Sequence, residues 1–344
     1  LDKIAAEDTT RDELLAGVSL RTVFDEHDGR VTQRVLTDAG LTVPMIELPA
    51  LAQRDPRAQQ AVLLQRLDEA AAEPFDLSCA PLLRARLFRI DPQHHVLLLV
   101  VHHIVGDGWS MGVLAHELQE LYGAAATGRP HPLAPLPLQF ADFARWQNEQ
   151  IDGPVMQTHL AYWRAQLRGL EPLQLSTDLP RPLLASTRGG NESVLLPMPL
   201  LNRLKRLARQ QNASLFMVML AAFQALLARC SGQEDIALGA PAAGRGRPDV
   251  DQLIGYFVNT VVLRTSLSGN PGFNELLERV RQVALDAFAH QELPFDRLVA
   301  ELSPTREPGR NPLFDVLINY SEQPAQASAL DGLITDRVDM FAPD

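Results

Sequence analysis

The residues best suited to chemistry are His102, His103, Asp107 and Gly108, which close the run Val96-Leu97-Leu98-Leu99-Val100-Val101-His102-His103-Ile104-Val105-Gly106-Asp107-Gly108-Trp109-Ser110. Histidine is the one side chain whose unperturbed pKa lies near neutral pH, which suits it to receive or give a proton. Six consecutive apolar residues, Val96 to Val101, predict a strand buried on both faces. Adjacent residues of a strand point to opposite faces, so one histidine at most can face a given cavity. His103 is the candidate, and His102 is expected to be structural. Gly106 and Gly108 predict a sharp turn, with Ser110 as the N-cap of a following helix. His103 and Asp107 are only two ligands, and no neighbouring Cys or Glu completes a metal set, so no metal is expected.

Composition narrows the function classes. The chain has 344 residues, enough for two lobes with separate cores, and a formal net charge of −11. Such acidity argues against nucleic-acid binding, which rests on clustered Lys and Arg, although Arg245 and Arg247 form a local basic surface suited to an acidic protein partner. Two cysteines, Cys79 and Cys230, make no disulfide framework, so a reducing, cytoplasmic setting fits. The longest apolar segment, Leu215 to Phe223, is far short of a membrane span, and the charged opening residues are no signal peptide.

The elements that must hold the histidines follow in order. A helix is expected over the first fifteen residues, then a hairpin with Asp28-Gly29 at its turn. Helical spacing of Ala61, Leu64, Leu67 and Ala71 predicts an amphipathic helix over 57–72, followed by a strand at 81–88. Helices are expected at 111–126, 140–147, 200–211, 215–230 and 273–290. Strands are expected at 235–239, over Ile254 to Arg264, and over 314–320. The Pro- and Gly-rich stretch 170–193 reads as a crossover, which places the division between an N-terminal lobe, 1–175, and a C-terminal lobe, 176–344. The loop Ala243-Gly244-Arg245-Gly246-Arg247-Pro248 lacks the Gly-Lys-Ser/Thr ending of a phosphate cradle. Ser193 sits one residue late for a carrier-type Gly-Gly-x-Ser attachment site.

His-His-x-x-x-Asp-Gly resembles the active-site signature of the condensation domains of nonribosomal peptide synthetases, and other segments agree in order. Leu20-Arg21-Thr22-Val23-Phe24 is similar to the second half of an early family motif, whose Arg-His-Glu is replaced here by Ala16, Gly17 and Val18. Phe75-Asp76-Leu77 and Pro81-Leu82-Leu83-Arg84 precede the histidines as in the family. Phe140 to Gln147 resembles Tyr-x-Asp-Tyr-Ala-x-Trp-Gln. Ile254-Gly255-Tyr256-Phe257-Val258-Asn259-Thr260, His290 to Asp296 and Arg306 to Leu313 resemble three later motifs. The resemblance spans roughly Leu20 to Tyr320; the altered early motif and the short tail suggest a divergent or incomplete N-terminus and elements missing at the C-terminus.

The resemblance implies an α/β (α+β) fold of two chloramphenicol acetyltransferase-like lobes, a V-shaped pseudo-dimer with a central tunnel. It implies amide-bond formation between a donor aminoacyl or peptidyl thioester and the amine of an acceptor aminoacyl thioester. Both would ride on phosphopantetheine arms of carrier proteins beside an adenylation domain, within a larger chain that is otherwise monomeric, and no cofactor would be bound to this chain. His103 would handle the proton, the Gly108 amide would hold the oxyanion, and Asp107 and His102 would support the turn. Trp109, Asn259 and Gln291 would line the substrate channel. The family's arginine partner for Asp107 belongs to the altered motif, leaving Arg21 or Arg264. An acyl-CoA-dependent transferase, an epimerising relative and a non-catalytic recruitment platform are the alternatives.

Overall fold

The apolar run before the histidines finds its partner in the preceding segment, and the first sheet grows from that pairing. The computed structural model describes residues 17–49, 51, 55–178, 189–302, 310–321 and 330–338. The expected N-terminal helix and the first part of the Arg306–Leu313 motif lie outside the described residues. A 3-10 turn over Val18–Arg21 leads into β1 (Thr22–His27), antiparallel to β2 (Arg30–Val35). Asp28 and Gly29 join them with φ of 52° and 73°, the paired left-handed conformation that two-residue hairpins favour. β3 (Met45–Glu47) is followed by α1 (Pro56–Ala71), capped by Asp55, whose carboxylate accepts from the amides of Arg57 and Ala58. The helix buries Leu63, Leu67 and Ala70. Its apolar face is therefore rotated from the expected Ala61-Leu64-Leu67-Ala71 stripe, because Phe88 and Leu51 meet it on that side.

β4 (Leu83–Arg89) runs parallel to β3 and antiparallel to β5 (His95–Val101), giving the sheet order β3-β4-β5. β5 is the outer strand and is half-buried at every position, not buried on both faces as its sequence predicts. α2 (Gly108–Thr127) ends at Gly128 in the left-handed conformation and packs Val113, Leu114, Leu118 and Leu121 against Leu20, Leu82, Leu83 and Ala85. α3 (Phe140–Gln150) and α4 (Pro154–Gln166) follow.

Beyond the crossover come α5 (Met198–Gln210) and α6 (Leu215–Ser231), the latter capped by Ser214, whose hydroxyl accepts from Met217 N–H at 3.2 Å. β6 (Asp235–Ala242) pairs antiparallel with β7 (Asn259–Ser266), and α7 (Phe273–Ala289) and α8 (Phe295–Leu302) complete the described elements. The strand expected over 314–320 is reduced to a parallel bridge between Gly239 and Leu317. Residues 254–258 are irregular rather than the start of β7, because the Gly255 and Phe257 amides are taken by side chains described below.

Contacts group the chain into two units. Unit 1 is Leu1–Gln147 with Arg245–Phe257 and Pro324–Ala342; unit 2 is Asn148–Gly244 with Val258–Gln323 and Pro343–Asp344. The grouping is interleaved, where the sequence reading places one boundary at 175/176. Trp163, Leu220, Ile236, Leu238, Val262, Leu263 and Val280 belong to the core of unit 2. Among the described residues no single helix is long and apolar enough to cross a membrane.

Candidate active site

At the end of β5 the chain turns through His102 to Gly106 and enters α2. The two histidines part company there. His102 is half-buried; its Nδ1 accepts from the Ile104 N–H at 3.1 Å, which fixes the neutral ring with its proton on Nε2, and its ring meets Phe75 edge-on. His103 is exposed, makes no hydrogen bond among the described residues, and sets its ring 5.2 Å from that of Tyr256 at 71°. Gly106 is buried, and a Cβ on it would stand 3.3 Å from Val101 Cγ1. Neither Gly106 nor Gly108 has a positive φ, so close packing, not backbone freedom, calls for glycine at 106.

Asp107, not Ser110, is the N-cap of α2. Its backbone is extended, and Oδ1 accepts from the Ser110 N–H at 2.8 Å. The rest of its carboxylate is also engaged. Oδ2 accepts from the Phe257 N–H at 3.0 Å, and Arg245 Nη2 reaches Oδ1 at 3.4 Å and Ser110 Oγ at 3.1 Å. Ser110 Oγ accepts from the Gly255 N–H at 3.1 Å, while its single hydrogen is within reach of Asp107 Oδ1 at 2.8 Å and the Gly255 carbonyl at 2.9 Å. The ion pair is sealed: the Arg245 side chain is 1% exposed and that of Asp107 5%. Burial draws the Arg245 pKa below its ordinary value and the Asp107 charge opposes that shift; guanidinium stays protonated. Its carbon lies 4.0 Å from the Phe257 ring centroid, a cation–π contact that helps replace lost hydration.

Asp107 therefore finds its arginine in Arg245, which the sequence reading places on the surface. Neither candidate serves: Arg21 donates to the carbonyls of Leu36 and Thr37, and Arg264, in unit 2, pairs with Asp235 at 2.6 Å. Trp109 is half-exposed and its indole N–H donates to the Asp251 carbonyl at 2.9 Å, so it too fastens the loop 245–257. Asn259 and Gln291 lie in unit 2. The Asn259 amide donates to the carbonyls of Gln291 and Leu293 at 2.6 and 2.7 Å and accepts from the Phe295 N–H at 3.0 Å, tying β7 to the turn before α8. Residues the sequence reading missed are Arg245 as an ion-pair partner, Ser110 as a hub, and Tyr256 beside His103. Helical spacing from Asp107 offered a hint for Ser110; nothing in the sequence ties Arg245 to a carboxylate so far away.

A sequence profile of the family described as "Condensation domain" matches residues 18–341. The chain belongs to this family. Condensation domains of nonribosomal peptide synthetases form amide bonds, and that is the activity of this member. The domain is 44% identical to part of the linear gramicidin synthase of Brevibacillus parabrevis, covering 99% of this chain and 7% of that one. It is 43% identical to a chondramide synthase of Chondromyces crocatus, covering 93% of this chain and 8% of that one. The chain thus spans under a tenth of the length of these relatives. Among solved structures it is similar to the X-domain from teicoplanin biosynthesis, with a TM-score of 0.82 and 29% identity over 92% of this chain and 70% of that one. The first condensation domain of the calcium-dependent antibiotic synthetase shares the mixed α/β fold, with a TM-score of 0.75 and 22% identity over 96% and 74% of the two chains.

Proposed function

We propose that this condensation domain joins a donor aminoacyl or peptidyl thioester to the α-amine of an acceptor aminoacyl thioester, each presented on the phosphopantetheine arm of a carrier protein. Neighbouring carrier and adenylation domains are the partners this reading calls for, and the much longer relatives support it. The observation that carries the site is the contrast within one turn: Asp107 is locked by every bond it can make, while the His103 imidazole beside it is exposed and free of hydrogen bonds among the described residues.

The chemistry asked of His103 is modest. An α-amine has a pKa of about 8, so about a tenth is neutral at pH 7 and already nucleophilic. Holding amine and thioester together supplies up to about 7–11 kcal/mol. The amine nitrogen attacks the carbonyl carbon, the C–N bond forms, and one proton must leave nitrogen before the C–S bond breaks. His103 accepts that proton or orients the amine that loses it; the departing thiolate is then protonated. General-base assistance is worth about 10²–10⁴-fold, and the low end fits an amine that is partly neutral.

The head of α2 supports the other half of the step. The amides of Gly108 and Trp109 precede the first intrahelical bond and donate to nothing among the described residues. They sit at the positive end of a helix of 20 residues, suited to an oxyanion. A Cβ on Gly108 would meet nothing within 4 Å, so the fold does not demand glycine there; a substrate approaching the amide does.

A recruitment platform is the second reading, because the teicoplanin X-domain has been solved in complex with OxyB. One assay separates them. Two loaded carrier proteins incubated with the domain should give dipeptidyl product. Carrier binding without product would favour the platform, and transfer from free acyl-CoA alone would favour the acyltransferase. Intact-mass analysis of the domain after turnover should show no adduct; an aminoacyl group on Cys79, Cys230 or Ser193 would overturn direct attack.

A further inference from the structure

Residues 255–257 are extended across the turn that carries the histidines, and their neighbours dispose of two of the three side-chain positions. Gly255 is pressed so close to Phe140 that a Cβ would stand 2.3 Å from its ring, and its N–H is held by Ser110. Phe257 is buried against Phe140 and Phe143, with ring centroids 5.0 and 4.8 Å away, and its N–H is held by Asp107. Side chains of an extended strand alternate in direction. Tyr256, between two anchored amides, is therefore sent the other way, where it is 46% exposed and meets His103.

We infer that Tyr256 is a positioning residue for His103: its ring holds the exposed imidazole in one rotamer, aimed at the reacting amine. The need is evident from the turn itself. Among the described residues His103 makes no hydrogen bond that would fix its ring, unlike His102, and an unrestrained side chain divides itself among about three χ1 wells. A T-shaped ring contact at 5.2 Å is the restraint the structure supplies. Tyr256 owes its own orientation to the bonds of Asp107 and Ser110, so the lock does more than hold the helix cap. It sets the wall against which the free histidine stands. The role belongs to the ring, not to the hydroxyl.

The inference rests on the amide-forming reading, so wild type and His103→Ala are assayed beside Tyr256→Leu, Tyr256→Phe and the double variant His103→Ala/Tyr256→Leu, with two loaded carriers and rates normalised to folded protein from thermal melts. Tyr256→Leu should lower kcat by about 3–10-fold, as expected when an aimed group is released into other rotamers, with KM for the loaded acceptor carrier unchanged. Tyr256→Phe should restore the rate. The double variant should be no slower than His103→Ala alone, because a residue acting through His103 has nothing to position once the imidazole is gone. A wild type that makes no amide would sink the parent reading. Amide formation by wild type that slows in His103→Ala but not in Tyr256→Leu would sink this inference alone. So would a Tyr256→Phe variant as slow as Tyr256→Leu, or losses that multiply in the double variant.

Discussion

Two places in this molecule gather polar side chains from the family's motifs, and they treat them differently. In unit 2, Asn259 gives both amide hydrogens to carbonyls and accepts an N–H, all between β7 and the turn before α8. In unit 1, Asp107 is engaged as fully, but it stands four residues from an imidazole that makes no hydrogen bond among the described residues. A side chain whose hydrogen-bonding capacity is taken up by backbone has none left for a substrate. A reactive site needs both kinds together: one residue exhausted so that another is held still and left open.

Asp107→Ala should be the largest perturbation, because it leaves the buried Arg245 without its anion, a loss of about 3–5 kcal/mol. Thermal melts of Asp107→Ala and His103→Ala with the same Tm would remove the distinction between the locked and the open residue. Asn259→Ala comes next, at about 1–3 kcal/mol for orphaned partners, with kcat per folded molecule unchanged. A slower enzyme with an unaltered Tm would instead make Asn259 a substrate residue and erase the contrast with unit 1. His103→Ala should reduce amide formation at least about ten-fold, equivalent to about 1.4 kcal/mol, while carrier binding, followed by titration, survives. An unchanged rate with chemistry limiting would deny the open imidazole its role.

The smallest effect sharpens the comparison from further along the same helix. Burial pushes the Glu117 carboxyl on α2 up to about 7, from an ordinary 4.5. Between those values the folded protein keeps a proton that the unfolded chain has lost, so stability falls as pH rises through that window. Solvent screens a carboxylate that is only partly buried, and Glu117→Gln should therefore raise Tm at pH 8 by only about 1–3 °C and leave it unchanged at pH 4. An offset of the same size at both pH values would place that carboxylate in water.

The order of elements was legible because helix and strand periods and caps are local: α1, α2, α6 and α7 lie within a few residues of their expected bounds. What failed was decided by distant partners. Residues 254–258 alternate as a strand should, yet Ser110 and Asp107 claim the amides a ladder would have used. β5 is apolar enough for a central strand but is an outer one. Arg245 reads as surface because its neighbours Gly244, Gly246 and Arg247 are loop residues, and only the fold brings it to a carboxylate 138 positions earlier. Tyr256 is an aromatic in an apparently alternating run, and nothing local marks the ring it would meet.

The return of Arg245–Phe257 to unit 1 also sets a schedule. Chain synthesis delivers both histidines and Asp107 early, but the amide that completes the carboxylate's shell comes 150 residues later, at Phe257. At about 5–20 residues per second, the nascent turn waits many seconds with its acid unmatched, and contacts of such long sequence separation form slowly. Fragments that stop between 147 and 245 would contain the whole histidine signature and none of its closure. The smallest autonomous piece able to carry the signature in its working form is therefore set by Phe257, not by the end of the first lobe.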